Sequence, residues 1–337
     1  MINKSYENIK HFILDNIKTI IIYGLLIALF FIQTPYVVNT PGGAIDLNKR
    51  ITVGDNNNIN GTLSMAYVKQ LKGNIPFVLL SYIIPNWDLV KIEDITYDNE
   101  SLTELNKINK LQLEEAVDNA ILAAFNISDK NYKIKDYELN VMYISDKADT
   151  DIELFDKIIE VNDNKVTNLE EIKKIITELN SGEIVNLEVL RNDKKIKATA
   201  KTYKEENGET KIGLATITDY DIETDPTVEI KTKSSESGPS GGLMMALSIY
   251  DNLNDIDLVK GRNIIGTGTI NSDGKVGEIG GVKYKVLGAA KNDADIFLCP
   301  KDNYKEATKV VKNNKLKIKV VSVETLSDAI EYLKKTE

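Results

Sequence analysis

The sequence predicts a mixed α and β protein with more than one domain, preceded by a single transmembrane helix. The chain has 337 residues, of which 42% are hydrophobic and 28% charged, which is enough to bury a sizeable core. Segments with the alternation of strands are interspersed with segments of helical periodicity. Near the amino terminus, the run "IIIYGLLIALFFI" from Ile20 to Ile32 is apolar on every face.

Charge and residue counts exclude several functions. The net charge of -9, with lysines interspersed among acids, argues against a nucleic-acid partner, because a phosphate backbone is held by clustered cations. The chain has one histidine, His11, and one cysteine, Cys299. Catalytic triads and HExxH zinc sites need a histidine near the chemistry, so we expect neither, nor any metal or cofactor. Cys299 has no disulfide partner and is predicted to be buried.

The apolar run predicts the orientation of the chain. Three lysines precede it (Lys4, Lys10 and Lys18), and no Lys or Arg follows until Lys49. This bias predicts a cytoplasmic amino terminus and an extracellular remainder at the cell membrane. No small-x-small cleavage site follows the run, which favours an uncleaved anchor over a signal peptide. A second apolar run, residues 75–85, predicts either a membrane-surface segment or a buried core segment.

Residues 129–205 follow two predicted strands and a helix over 103–125, and form a unit of their own. A strand "LNVMYI" leads to "DKIIEVNDNKV", a helix with Asn168 as its cap and Glu171 at its third position, and two strands around "RNDKK". This order resembles a PDZ domain, although "ELFDKI" lacks the usual glycine before its aspartate. The resemblance implies a peptide-binding groove between the strand and the helix over 169–179, lined by Leu139, Val141, Tyr143 and Ile172. The alternative is a spacer of this shape without a ligand.

The stretch "SSESGPSGGLMMALSIY", residues 234–250, places Ser240 on a tight turn at the start of a helix. Free amides at a helix amino terminus can receive the oxyanion of an acyl-transfer reaction, although serine is also an ordinary helix cap. Without histidine, a lysine can serve as the base only when it is neutral, which requires burial to lower its pKa by about three units. Lys283 and Lys285 in "IGGVKYKVL" lie on different helix faces, so at most one of them suits this task.

The motifs "SGPSGG", "GTGTI", "IGGVKYK" and "DIFLCP" together resemble the Lon-type Ser-Lys protease domain. The resemblance implies that Ser240 is the nucleophile and Lys285 the general base. It also implies that Thr267 hydrogen-bonds this lysine, and that Gly238 and Gly241 support the turn. ATP-driven Lon proteases usually have an acidic residue directly before "GPS", whereas Ser237 stands here and Glu236 precedes it. The role of a neighbouring acid therefore stays open.

With the apolar run and the PDZ-like unit, the chain resembles bacterial membrane-anchored PDZ-Lon proteases. The predicted divisions are a cytoplasmic stub and anchor (1–36), a first protease part (37–128), an inserted PDZ-like domain (129–205) and a catalytic part (206–337). The sequence has no GxxxxGK[ST] loop, so we expect an ATP-independent serine endopeptidase. Its partners would be extracytoplasmic peptides or flexible protein segments, and the resemblance is compatible with a homo-oligomeric ring.

Two alternatives remain. An anchored, non-catalytic adaptor would bind peptides through the PDZ-like unit and carry an inactive Lon-like domain. The spelling SxxK from Ser272 to Lys275 also matches penicillin-binding proteins, but its Asp-Gly pair favours a hairpin turn over a helix start.

Overall fold

The computed structural model describes residues 2–55, 60–96, 100–254 and 256–336. Its first two helices are α1 (Ile2–Asp15) and α2 (Ile17–Leu29). The predicted single transmembrane helix is not supported, because none of the helices in these ranges is by itself long and apolar enough to span a membrane. Residues Ile9–Asp15 and Ile17–Leu29 reach the required length and hydropathy only together, and they are bent by 76° at Asn16.

The main sheet has six strands in the order β19-β18-β15-β3-β1-β4. The first half of the chain supplies three of them, which pair antiparallel around β1. The carboxy-terminal half supplies the other three, which run parallel to one another and to β3. The bounds of these strands are β1 (Gln33–Asp46), β3 (Thr62–Asn74), β4 (Asp88–Lys91), β15 (Asn263–Gly266), β18 (Ile296–Pro300) and β19 (Lys319–Val323).

Helices cover both faces of the main sheet. Adjacent strand residues point to opposite faces, so Ile264 packs in one hydrophobic core and Ile265 in the other. Cys299 lies in the second core and is fully buried, as predicted. The first core is covered by α4 (Leu102–Ile127), α6 (Gly242–Asn254) and α9 (Leu326–Lys335), and the second by α7 (Val282–Lys291) and α8 (Lys301–Asn313).

A second, antiparallel sheet is inserted between α4 and the strand that leads to Ser240. Its order is β13-β5-β7-β9-β10-β6, and helix α5 (Leu169–Thr177) packs on it. Asn168 caps α5 by accepting from the Glu171 amide, as the sequence predicts. We call residues 132–224 the inserted unit. The bounds of its strands are β5 (Tyr132–Ile144), β6 (Asp149–Thr150), β7 (Lys157–Val161), β8 (Asn164–Lys165), β9 (Ile184–Arg191), β10 (Lys194–Lys201), β11 (Tyr203–Lys204), β12 (Thr210–Lys211) and β13 (Leu214–Thr224).

The inserted unit extends past the predicted boundary at residue 205. The reason is that β13 pairs with β5 along its whole length, from Leu214 opposite Ile144 to Thr224 opposite Tyr132. Such long-range pairing has no signature in the local sequence. The strands β2 (Ile51–Val53) and β14 (Val228–Ile230) then form a separate short pair that returns the chain to the main sheet.

Two further segments concern the alternatives raised above. The SxxK residues form a tight turn between β16 (Thr269–Ile270) and β17 (Val276–Gly277), not a helix start. The second apolar run forms α3 (Ile75–Ser81) and the turn after it, and α3 has no buried residue. The buried-core interpretation of this run is therefore wrong.

Candidate active site

The turn before α6 presents Ser240. Gly238 has a φ of +85°, a conformation that residues with a side chain rarely adopt, and its N–H donates to the Asn109 carbonyl on α4 at 2.7 Å. Ser240 is half-buried and lies two residues before α6. A Cβ on Gly241 would lie 2.5 Å from the Met65 sulfur, so a larger residue there would require the Met65 side chain to move. The two predicted supporting glycines therefore shape the turn.

Lys285 lies beneath this turn on the buried face of α7. It is only 3% exposed, and burial lowers the pKa of its ammonium to about 7. Its Nζ donates to the Thr267 hydroxyl at 3.1 Å, and that hydroxyl donates to the Ser240 carbonyl oxygen at 2.9 Å. The fold thus joins Ser240, Thr267 and Lys285 in one hydrogen-bonded series, although they are far apart in sequence.

The direction of these hydrogen bonds matters for the chemistry. The single hydroxyl proton of Thr267 is used by the Ser240 carbonyl, so Thr267 can only accept from Lys285. A neutral lysine amine then donates one N–H to Thr267 and keeps its lone pair for another proton. Such an amine, linked through Thr267 to the turn that carries Ser240, is suited to general-base catalysis of nucleophilic attack.

The second candidate lysine has a different environment. Lys283 Nζ is 2.6 Å from Asp88 Oδ2, and the Tyr284 hydroxyl donates to the same oxygen at 2.7 Å. Burial works to raise the pKa of Asp88, but the hydrogen bonds from Lys283 and Tyr284 outweigh it and hold that pKa below its ordinary value. Lys283 is therefore engaged in an ion pair that fastens α7 to β4, on a different side of the helix from Lys285.

A cleft of about 660 Å³ opens in front of Ser240. The turn residues 233–241 form one wall, and the ends of β1 and β3 form the other. Sequence reasoning missed the second wall, because it read the first strands only as structural elements. The one available signal was the glycine pair within "NTPGGAID", which marks an irregular strand. The lining residues from β1 and β3 are Ala44, Ile45, Asp46, Met65, Ala66, Tyr67 and Val68.

An ion pair holds the loop that carries the turn. Arg50 donates through NH1 to the Lys231 carbonyl at 3.0 Å and through NH2 to Glu236 Oε1 at 3.1 Å. The other carboxylate oxygen of Glu236 accepts from the Lys233 amide at 2.9 Å. Both charged side chains are less than a fifth exposed. The acid before the turn therefore acts on the loop, and its partner Arg50 comes from the first part of the chain.

The groove of the inserted unit lies elsewhere than the sequence predicted. Leu139 and Val141 are fully buried in its core with Ile172, and β5 is already paired with β13 and β7, so it offers no free edge for a peptide strand. The groove of about 440 Å³ instead lies between α5 and residues 209–216, at the start of the edge strand β13. Ile172 on α5 does line it, whereas Tyr143 is half-buried and does not.

An acidic cluster joins the inserted unit to α4. Asp118 Oδ2 accepts from the Tyr220 amide of β13 at 2.8 Å. Burial raises the pKa of both Asp118 and Glu115 above their ordinary values. Across the four described ranges, no group of three or more His, Cys, Asp or Glu residues is arranged to hold a metal ion.

Comparison with known proteins agrees with this geometry. The family model of the Lon protease (S16) C-terminal proteolytic domain matches residues 198–335. This part of the chain is therefore similar to the Lon-type proteolytic domain. The match includes Ser240, Thr267 and Lys285, and it begins within the inserted unit. The strands β1 and β3 lie outside the match, although they share the main sheet with strands of the matched segment.

Curated relatives support the same assignment over limited lengths. The chain is 33% identical over 99 residues to Lon protease from Neorickettsia sennetsu, covering 29% of this chain and 12% of that protein. It is 31% identical over 157 residues to Lon protease homolog 2, peroxisomal, from Caenorhabditis elegans, covering 47% and 18%. It is 36% identical over 96 residues to Lon protease from Clostridium acetobutylicum, covering 28% and 12%. The chain therefore spans less than a fifth of the length of these three relatives.

Solved structures also resemble part of the chain. The PDZ domain of an SdrC-like protein from Listeria monocytogenes is 23% identical, with a TM-score of 0.22, covering 23% of this chain and 86% of that domain. The corresponding domain from Listeria innocua is 18% identical, with the same TM-score, covering 23% and 92%.

Proposed function

We propose that this protein is a serine endopeptidase in which Ser240 is the nucleophile and Lys285 the general base. The observation that carries the proposal is the buried Lys285, with a pKa lowered to about 7 and an N–H directed to Thr267. A lysine kept in this environment costs stability, and a role as a neutral base accounts for that cost.

The proposed reaction has two steps. Neutral Lys285 removes the hydroxyl proton of Ser240 as its Oγ attacks the peptide carbonyl, and the oxyanion forms beside the amides at the start of α6. The ammonium then gives its proton to the leaving amine, and an acyl-enzyme remains on Ser240. Water attacks this ester in the second step, with Lys285 again taking and returning one proton, so that the acid is released and Ser240 is restored.

Substrate chemistry follows from the two concave surfaces. The cleft is open and lined by the irregular ends of β1 and β3, which suits a peptide in an extended conformation. The sequence has no nucleotide-binding loop to drive unfolding, so we propose peptides and already flexible segments as substrates. The groove beside α5, next to the edge strand β13, would bind a second stretch of the same substrate as an added strand.

We also propose that α1 and α2 attach the chain to the cell membrane. The apolar run and the lysines before it support this, with the amino terminus in the cytoplasm and the Lon-type domain outside the cell. The bend at Asn16 places α1, which contains Lys4 and Lys10, at an angle to the apolar α2, as expected of a helix lying at the membrane surface.

The test is cleavage of casein without ATP by the full chain in detergent, beside Ser240→Ala, Lys285→Ala and Lys283→Ala. We expect the first two variants to lose at least ~10³-fold in kcat/KM. Lys283→Ala serves as the matched control, because this lysine lies on the same helix but contacts Asp88. We expect it to retain activity within about tenfold, because it is absent from the proton path.

Folding of each variant is checked by circular dichroism. If the folded wild type binds peptides without cleaving them, the protein is an adaptor and the endopeptidase proposal is wrong. If Lys283→Ala is the inactive lysine variant, the choice of base is wrong.

A further inference from the structure

An exposed apolar surface lies at the end of the main sheet where the chain enters it. We define the apolar patch as Phe31 with Leu79, Leu80, Tyr82 and Ile83. Four of these side chains are more than half exposed: Phe31 at 80%, Tyr82 at 77%, Ile83 at 75% and Leu79 at 57%. Solvated surfaces of soluble domains rarely carry so many large apolar side chains together, so the patch requires a partner.

The patch is continuous with the apolar helix α2. Asn74, directly before α3, donates through Nδ2 to the Phe30 carbonyl, and the rings of Phe30 and Phe77 pack edge to face with centroids 6.3 Å apart. Phe77 in turn packs against Trp87, with centroids 6.5 Å apart. These contacts fasten α3 beside the last turn of α2, so both elements present apolar side chains at the same end of the molecule.

The chemistry of the patch favours lipid over a protein partner. Residues 73–87 contain no Asp, Glu, Lys or Arg, and neither do residues 19–45. A protein interface usually has a charged or polar rim for specificity, whereas a segment at the bilayer boundary combines aliphatic side chains with Tyr and Trp. Tyr82 and Trp87 occupy such positions at the two ends of the turn that follows α3.

We propose that the apolar patch docks on the outer surface of the lipid bilayer, beside the point where α2 leaves it. The inference rests on the membrane attachment proposed above and goes beyond it. A helix alone would let the molecule tilt together with α2 in the bilayer, whereas a second contact through α3 fixes its orientation. The patch thereby holds the catalytic cleft at one height and one angle relative to the membrane.

The test uses the only tryptophan in the chain, Trp87, as a reporter. The full chain is reconstituted in phosphatidylcholine vesicles whose acyl chains are either brominated or unmodified, and bromine quenches indole fluorescence only at short range. We expect at least about a twofold loss of Trp87 emission in the brominated vesicles. In the double variant Leu79→Ser with Ile83→Ser, we expect this loss to disappear while α2 keeps the protein on the vesicles.

The matched control is Ile184→Ser, which removes an aliphatic side chain of similar exposure (63%) from the inserted unit. We expect it to be quenched like the wild type. Flotation of the vesicles measures membrane attachment independently of quenching. Ser240→Ala should float and be quenched like the wild type, because neither result depends on catalysis. If the wild type floats without quenching, the docking proposal is wrong and the attachment proposal stands. If it does not float, both are wrong. If the double variant instead changes the oligomeric state and leaves quenching intact, the patch binds a second copy of the chain.

Discussion

The cleft at Ser240 and the groove beside α5 are built in opposite ways. The cleft at Ser240 is assembled from distant parts of the chain, and a buried lysine is hydrogen-bonded through Thr267 to the turn that carries Ser240. The groove beside α5 is lined mainly by aliphatic side chains from one continuous unit, Ile158, Ile172, Ile176, Ile212 and Leu214 among them.

The two sites differ in how the requirements of stability and of function are related. Apolar side chains in the groove stabilise the inserted unit and would bind a peptide with the same surface, so stability and binding agree there. At the catalytic site, stability and catalysis conflict, because the buried amine that serves as the base lowers the stability of the fold whenever it is protonated. The contrast predicts that substitutions in the two places have opposite effects on stability.

The largest effect is expected for Lys285→Met. This variant should lose at least ~10³-fold in casein cleavage, because it removes the proposed general base. It should also raise the free energy of unfolding at pH 7 by about 2–4 kcal/mol, because an apolar side chain of similar length replaces a buried ionisable group. Denaturant unfolding at pH 7 measures this.

Ser240→Ala is the control for the prediction, since it removes activity without removing the buried amine. Its stability should stay within about 1 kcal/mol of the wild type. If Lys285→Met is destabilised instead, then Lys285 contributes to the fold as an ion, and the cleft does not differ from the groove in the way described.

The pH dependence of kcat/KM and of stability tests the same contrast. The active form of Lys285 is neutral and its pKa is about 7, so kcat/KM should fall tenfold per pH unit below about pH 6 and level off above about pH 8. The folded pKa lies below the unfolded value of about 10.4, so the unfolded chain binds more protons between these values. The contribution of Lys285 to stability should therefore rise with pH from about 7 to about 10.

The free energy of unfolding is measured as a function of pH for Ser240→Ala and for Lys285→Met. The first should keep the rise with pH, and the second should lose it. A wild-type rate that is constant from pH 5 to pH 8 would contradict a base with this pKa.

A smaller effect is expected from the ion pair behind the catalytic turn. Glu236→Gln removes the charge that Arg50 faces, and the loop over 231–237 loses an anchor. We expect kcat to fall about tenfold with KM and stability little changed, because the loop positions Ser240 and adds little to the core. Single-turnover kinetics separates these quantities.

The matched control is Lys91→Ala, which breaks an exposed pair with Glu93 and should leave kcat unaltered. A fall in stability of Glu236→Gln that matches its loss of activity would mean that the ion pair only supports the fold.

The smallest effect is expected in the groove. Leu214→Lys places a charge beside α5, and we expect KM for long flexible substrates to rise about threefold to tenfold with kcat unchanged. Short peptides that reach only the cleft should be cleaved as before. Leu139→Ala, in the predicted groove that proved to be core, should instead destabilise the protein by about 2–5 kcal/mol. Equal effects of Leu214→Lys on long and short substrates would show that the groove takes no part in cleavage.

Local sequence motifs made part of the fold and part of the candidate site predictable. Ser240 lies on a turn that "GPSGG" specifies by itself, and α5 begins at a cap visible in the sequence. Burial of Lys285 could be expected from the apolar residues after it. The groove could not be predicted, because it depends on β13 pairing with β5, and the paired residues are 70 to 92 positions apart, a separation that local patterns do not encode. For the same reason, Arg50 and the cleft wall from β1 and β3 were not foreseen.

Strand β1 has a consequence for the choice of cleavage site. It begins at Gln33, directly after the apolar helix, and its far end at Ala44, Ile45 and Asp46 lines the cleft. Eleven residues of extended chain span at most about 36 Å. With α3 docked on the bilayer as proposed, the length of β1 would set the distance between the lipid and Ser240. A membrane-tethered substrate would then be cut only beyond roughly ten extended residues from its own anchor, so its transmembrane segment itself would be spared.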